Sequence, residues 1–189
     1  MSVPRGRDVT LLALLLLPAA ADAARAQVEV ERHGEQFEVR ASAQIAATVE
    51  RAWRVLTDYG RLAHFIPGML ESRVVSRDGP KVVVDQRGEA TLLFLTFPMQ
   101  VRLEVAEQPY EGIVSTAIAG NFKDLHGAYR LAPSGSGVSL RYEGRFTPDF
   151  EFPPLLGTLI VRSTAQKRFE ALILEIEREA SGATGSPGR

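Results

Sequence analysis

Two periodicities divide the chain. From Glu35 to Ile45 apolar residues take every second position, at Phe37, Val39, Ala41, Ala43 and Ile45, which predicts a strand with one buried face. The spacing then changes. Val49, Ala52, Trp53 and Leu56 recur at helical intervals behind Thr48, a residue suited to cap a helix, although Arg51 stands where a full capping box needs Glu. Asp58-Tyr59-Gly60 ends this helix, and Asp58 is placed to cap the next. A second short helix holds Leu62, His64 and Phe65 and closes at Pro67-Gly68. Beyond it the period returns to two. Strands are predicted over Leu70–Arg77, Lys81 to about Leu95, Met99–Ala106 after an interruption at Pro98, Ile113–Gly120, Leu125–Leu131 and Val138–Phe146, with turns rich in Gly, Pro, Asp and Ser between them. Short turns between consecutive strands imply antiparallel pairing. Pro153-Pro154 opens a last helix to about Glu179, roughly 40 Å long at 1.5 Å per residue. The expected class is α+β: a curved antiparallel sheet of six to seven strands around one long C-terminal helix, with two short helices after the first strand.

The two ends read differently from this body. Arg5 and Arg7 precede the apolar run Val9–Leu17, and small residues and two A-x-A sequences follow up to Ala26. That is the layout of a secretory signal peptide, and the run has about half of the ~20 residues a membrane-spanning helix needs. The expectation is a signal peptide over residues 1–26, one ligand-binding domain over 27–180, a frayed tail over 181–189, and a periplasmic or secreted product. Among 189 residues there are 22 basic and 23 acidic side chains, a net charge of −1, so no field attracts nucleic acid. Cysteine is absent, which removes disulfides, thiol catalysis and thiolate metal sites.

The stretch Trp53-Arg54-Val55-Leu56-Thr57-Asp58-Tyr59, with Leu62, Phe65-Ile66-Pro67-Gly68-Met69 and Ser72-Arg73-Val74-Val75, resembles the START-like polyketide cyclase/dehydrase family of the SRPBCC superfamily. The branch it looks most like holds coenzyme Q-binding proteins and the bacterial ribosome-association toxin. Phe150-Glu151-Phe152-Pro153-Pro154-Leu155-Leu156 and Phe169-Glu170-Ala171-Leu172 fit the same pattern, so the resemblance spans roughly Glu35 to Glu179. It implies a helix-grip fold, in agreement with the periodicity. It does not name a function, because transport proteins, cyclases, hydrolases and receptors share the scaffold. The signal peptide is a departure from relatives that work in interior compartments.

A sheet curved around a helix encloses a cavity only where small side chains leave room. The last helix has large apolar residues at both ends and Ser163, Thr164 and Ala165 in its middle. The expected ligand-binding wall is Gln86, Gly88, Val101, Leu103, Ala117, Tyr129, Tyr142, Phe146, Leu159 and Ser163. The alternative is a core in which small and large residues simply interlock. Arg162, on the helical face of Ala165, Phe169 and Ile173, would meet a polar ligand group or pair with Glu89, unless its stem only covers apolar surface. His64, Phe65 and Phe122 are expected at the entrance. The run Thr91–Met99 reads as a strand buried on both faces, or else as a lid or a hairpin touching a membrane.

Chemistry is sparse. His33, His64 and His126 are the three imidazoles, and His64 is the best placed as a general base. No H-E-x-x-H, G-x-S-x-G or G-K-[ST] sequence occurs and no pair of acids shares an apolar face, so no catalytic residue, metal or cofactor is assigned. The leading reading is a non-catalytic carrier of a hydrophobic small molecule: a lipid, an isoprenoid quinone or a polyketide-like compound, with transient membrane contact. The alternatives are a cyclase or dehydrase acting on aromatic polyketide-like substrates and a protein-interaction module.

Overall fold

A computed structural model describes residues 26–153 and 155–182. The signal peptide expected over residues 1–26 lies outside them, apart from Ala26, as does the tail from residue 183 onward. Eight antiparallel strands form one sheet: β1 (Gln27–His33), β2 (Gln36–Ile45), β3 (Met69–Asp78), β4 (Lys81–Leu92), β5 (Leu95–Gln108), β6 (Gly112–Gly120), β7 (Phe122–Ser134) and β8 (Gly137–Pro148). Their order across the sheet is β1-β2-β8-β7-β6-β5-β4-β3. Helix α1 (Val49–Thr57), a 3-10 turn (Tyr59–Arg61) and the single turn α2 (Leu62–Phe65) connect β2 to β3, and α3 (Gly157–Gly182) ends the fold.

The sheet has one strand more than expected. β1 offers only Val28 and Val30 as apolar positions, and Val28 alone is fully buried, so its alternation is short. The two short helices therefore follow the second strand. Pro98 does not interrupt β5, because β6 joins β5 only from Val101 onward and proline's missing N–H faces no ladder partner. The reversal falls instead at Leu93 and Phe94. Thr48 caps α1 by accepting a hydrogen bond from Arg51 N at 3.3 Å. Asp58 makes no such bond to the next turn and lies 3.5 Å from Arg61 instead.

Helix α3 crosses the concave side of the sheet and is held from both flanks. Gln166 Nε2 donates to Ala26 O beside β1, and Arg168 Nη2 donates to Glu89 O in β4. The core between helix and sheet is built by Phe37, Val39, Leu140, Ile160, Phe169, Leu172, Ile173 and Ile176. At the far end of α3, Glu175 accepts from Arg61 at 2.8 Å and from Arg178 at 2.6 and 2.7 Å, which ties the helix to the segment after α1.

Candidate functional site

The concave face is set by register. Pairs in an antiparallel ladder share a face, and the pairs Val84–Leu103, Gln86–Val101, Gly88–Met99, Ile113–Tyr129, Tyr129–Tyr142 and Leu125–Phe146 all point toward α3. Above them α3 presents Val161, Thr164, Ala165 and Arg168. A cavity of about 310 Å³ remains between the two layers. Its walls are mostly apolar, and Gln86, Ser115, Thr164, Tyr129, Tyr142, Arg87 and Arg168 supply the polar atoms, with Tyr59 at the α1 end.

Arg168 is the centre of the site. Its Nε donates to Pro67 O at 3.2 Å, and its Nη2 donates to Gly68 O at 3.3 Å and Glu89 O at 3.1 Å. No acidic side chain of the described residues pairs with it, and those three bonds leave Nη1 without a partner among them. Burial pulls its pKa below the usual arginine value, a shift that negative charge on the Tyr129 or Tyr142 oxygen would oppose. Those rings lie 4.7 Å apart between centroids. Burial raises both phenols, that of Tyr129 also through Tyr142, so both stay protonated hydroxyls able to donate.

Glycine makes this geometry attainable. Tyr142 lies flat along the sheet across Gly127 and Gly144, and a Cβ on Gly144 would overlap its hydroxyl. At Gly88 a Cβ would collide with Gly68 O and press on Arg168 Nη2. Both positions keep the phenol and the guanidinium close to the backbone, leaving the space above them open.

Of the residues expected in the wall, Gln86, Gly88, Val101, Leu103, Tyr129, Tyr142 and Phe146 line the cavity, and so does Phe122 from the expected entrance. Leu159, Arg162 and Ser163 do not. At that end of α3 the inward positions are Ile160 and Val161, which leaves Leu159 52% exposed and Arg162 on the outer side. The inward line Val161, Ala165, Arg168, Leu172, Ile176 advances by more than 3.6 residues per turn on average. It winds around the helix, so the face of Phe169 and Ile173 does not extend back to Arg162. Ala117 lies opposite Leu103, but its methyl group stops short of the cavity, and a bulge at Ile118 turns Ala119 to the other face beside Arg102. His64 is exposed, its Nδ1 3.3 Å from Arg61 O, because in the one-turn α2 the inward pair is Leu62 and Ile66. Phe65 packs beside the core without reaching the cavity.

Sequence reasoning overlooked Arg168, Phe150 and Phe152 as site residues. The signal for Arg168 was present: it stands seven residues after Val161, three after Ala165 and four before Leu172. His126 donates to or accepts from Thr116 at 3.1 Å and lies 2.9 Å from Asp124, away from the cavity. Glu31, His33 and Glu38 come together on an exposed surface, but both carboxylates already pair with Arg40.

Structural comparison places this architecture among known folds. An aromatase/cyclase, Zhui, from Streptomyces sp. R1128 superposes with a TM-score of 0.66 at 13% identity, covering 81% of this chain and 98% of its own. A STAR-related lipid transfer protein from Xanthomonas axonopodis gives 0.64 at 16% identity, covering 82% and 94%. The protein TTHA0849 from Thermus thermophilus gives 0.61 at 21% identity, covering 78% and 99%. No curated protein sequence matches the chain. The family described as polyketide cyclase / dehydrase and lipid transport matches residues 45–173, from the end of β2 to the inward Ile173 of α3, and the chain belongs to that family.

Proposed function

We propose that the protein binds and carries a small amphiphile, holding its oxygen-bearing head at Arg168, Tyr129 and Tyr142 and its apolar body along the concave sheet. The observation that supports this most is a guanidinium with no acidic partner among the described residues, held beside two phenols in a mostly apolar chamber. A charge in such a place is costly unless something answers it. A carboxylate or carbonyl oxygen, met by Nη1 and a phenol O–H, would do so. The volume of about 310 Å³ suits a mid-length acyl chain or a fused-ring body, at the low end of ligand cavities. A lipid, an isoprenoid quinone of the kind implied by the coenzyme Q-binding resemblance, and a polyketide-like compound all have this form.

Carriage is favoured over cyclisation because no carboxylate or imidazole lines the cavity among the described residues, and the phenols are too weakly acidic to serve as bases near neutrality. The Arg5–Ala26 pattern supports an exported setting, with Gln27 as first residue; the intact mass of the protein from its host tests it.

A fluorescent fatty acid tests the ligand reading. The double variant Tyr129→Phe/Tyr142→Phe keeps ring packing and loses both hydroxyls. Affinity is expected to fall by about tenfold, the worth of one or two buried hydrogen bonds, at unchanged melting temperature. Unchanged affinity would remove the phenols from the head site.

A further inference from the structure

The reversal between β4 and β5 is built against ordinary turn chemistry. Leu92 pairs with Leu95, leaving Leu93 and Phe94 as a two-residue turn. Leu93 has φ of 55°, a conformation that such turns normally give to glycine. Leu93 is 80% exposed and Phe94 88% exposed. The twelve residues between Glu89 and Arg102 include no charged side chain. Beside the stem, Phe97 packs on Phe152 at 4.7 Å, and three residues after Phe152 stands Leu155, 93% exposed. Two residues before Leu92, Ala90 lines the cavity.

We propose that this turn is an anchor for a lipid surface: Leu93 and Phe94 insert among the acyl chains at the face of a bilayer and bring the cavity wall against the lipid phase. Area decides the occupant. The two side chains of the turn offer at most about 400 Å², whereas a specific protein partner or a second copy of this chain needs about 1,200 Å² or more. A convex two-residue tip gives no flat surface to extend that contact. A bilayer accepts single apolar side chains and needs no matching surface. The missing charges select the acyl region rather than anionic headgroups as the attraction. Among the described residues no helix is long and apolar enough to cross a membrane, so the contact is peripheral. The anchor deepens the carrier reading, since it would let an amphiphile pass between bilayer and cavity, but its test stands apart from that reading.

The test is flotation of the protein as its host exports it, with phosphatidylcholine vesicles, wild type against Leu93→Gly/Phe94→Ser. Glycine suits the turn's backbone, so the variant should fold at least as stably. The expected results are vesicle binding by the wild type, binding at least ~tenfold weaker in the variant, and equal uptake of a fluorescent fatty acid in solution. Wild type that fails to float, or a variant that floats equally, overturns the proposal. So does a wild-type dimer that the variant converts to monomer together with the loss of flotation, because the turn would then belong to a second copy. If neither protein takes up the fatty acid but flotation still depends on the turn, the anchor stands and the carrier reading falls.

Discussion

Replacing Ala165 with leucine separates an open chamber from a packed interior by the sign of a melting shift. Ala165 is half-buried on the inward line of α3, one helical turn from both Val161 and Arg168, and borders the cavity. Leucine adds three carbons at almost no cost in helix propensity. If the space is open, burying them contributes ~0.8 kcal/mol each, less ~0.5 to 1 kcal/mol of rotamer entropy, for a net gain of about 1.5 kcal/mol. For a domain of this size that raises the melting temperature by roughly 3 to 6 °C. If the space were filled, the same atoms would force neighbours off their rotamers and cost about 1 to 3 kcal/mol. The leucine would also occupy the ligand's volume, so fatty-acid affinity should fall at least ~tenfold while stability rises. Thermal melts by circular dichroism, paired with titration of a fluorescent fatty acid, read both quantities. A lower melting temperature with unchanged affinity would mean that the space beside Ala165 is already filled.

Two further outcomes follow from titratable groups held inside the fold. Glu175 is 8% exposed and takes hydrogen bonds from Arg61 and Arg178, which hold its carboxyl below the ordinary 4.5. A lowered folded pKa contributes stability above the unfolded value and loses it as pH falls below about 4.5, so Glu175→Gln should cost about 1 to 2 kcal/mol at pH 7 and flatten the acid limb of the stability curve; an equally steep acid limb in the variant would count against this role. The buried hydroxyls of Tyr59, Tyr129 and Tyr142 are all pushed above the usual 10, Tyr59 by burial and then by the adjacent Glu107. Their contribution is present below pH 10 and lost as the unfolded chain ionises above it, so in an alkaline absorbance titration their phenolate signal should appear only with unfolding; ionisation in the folded protein would show that water reaches them freely.

The strands were readable because each carries its own alternation, and the long helix because its apolar residues recur over many turns. β1 escaped because two valines are too few to set a period. The turn at Leu93-Phe94 escaped because leucine and phenylalanine carry no turn chemistry, while Pro98 nearby does. The sheet half of the site was legible, since period-two patterning fixes which face Gln86, Gly88, Tyr129 and Tyr142 occupy. The helix half was not. An inward line that winds around α3 separates residues that ideal 100° steps would align, and the cationic residue on the inside is Arg168, six positions after the Arg162 that the sequence singled out. Arg168 meets the main-chain oxygen of Glu89, the residue whose carboxylate was the expected partner of Arg162. Three carbonyl oxygens from two distant segments hold it, and that enclosure is a property of the tertiary structure rather than of any local pattern.

The most direct measurement is native mass spectrometry of the whole protein purified from its own host without detergent. A loaded carrier gives a discrete adduct with the mass of one amphiphile, released by organic extraction and much reduced in Ala165→Leu. A bare polypeptide mass, together with no uptake of offered fatty acid or quinone by the wild type, would contradict carriage.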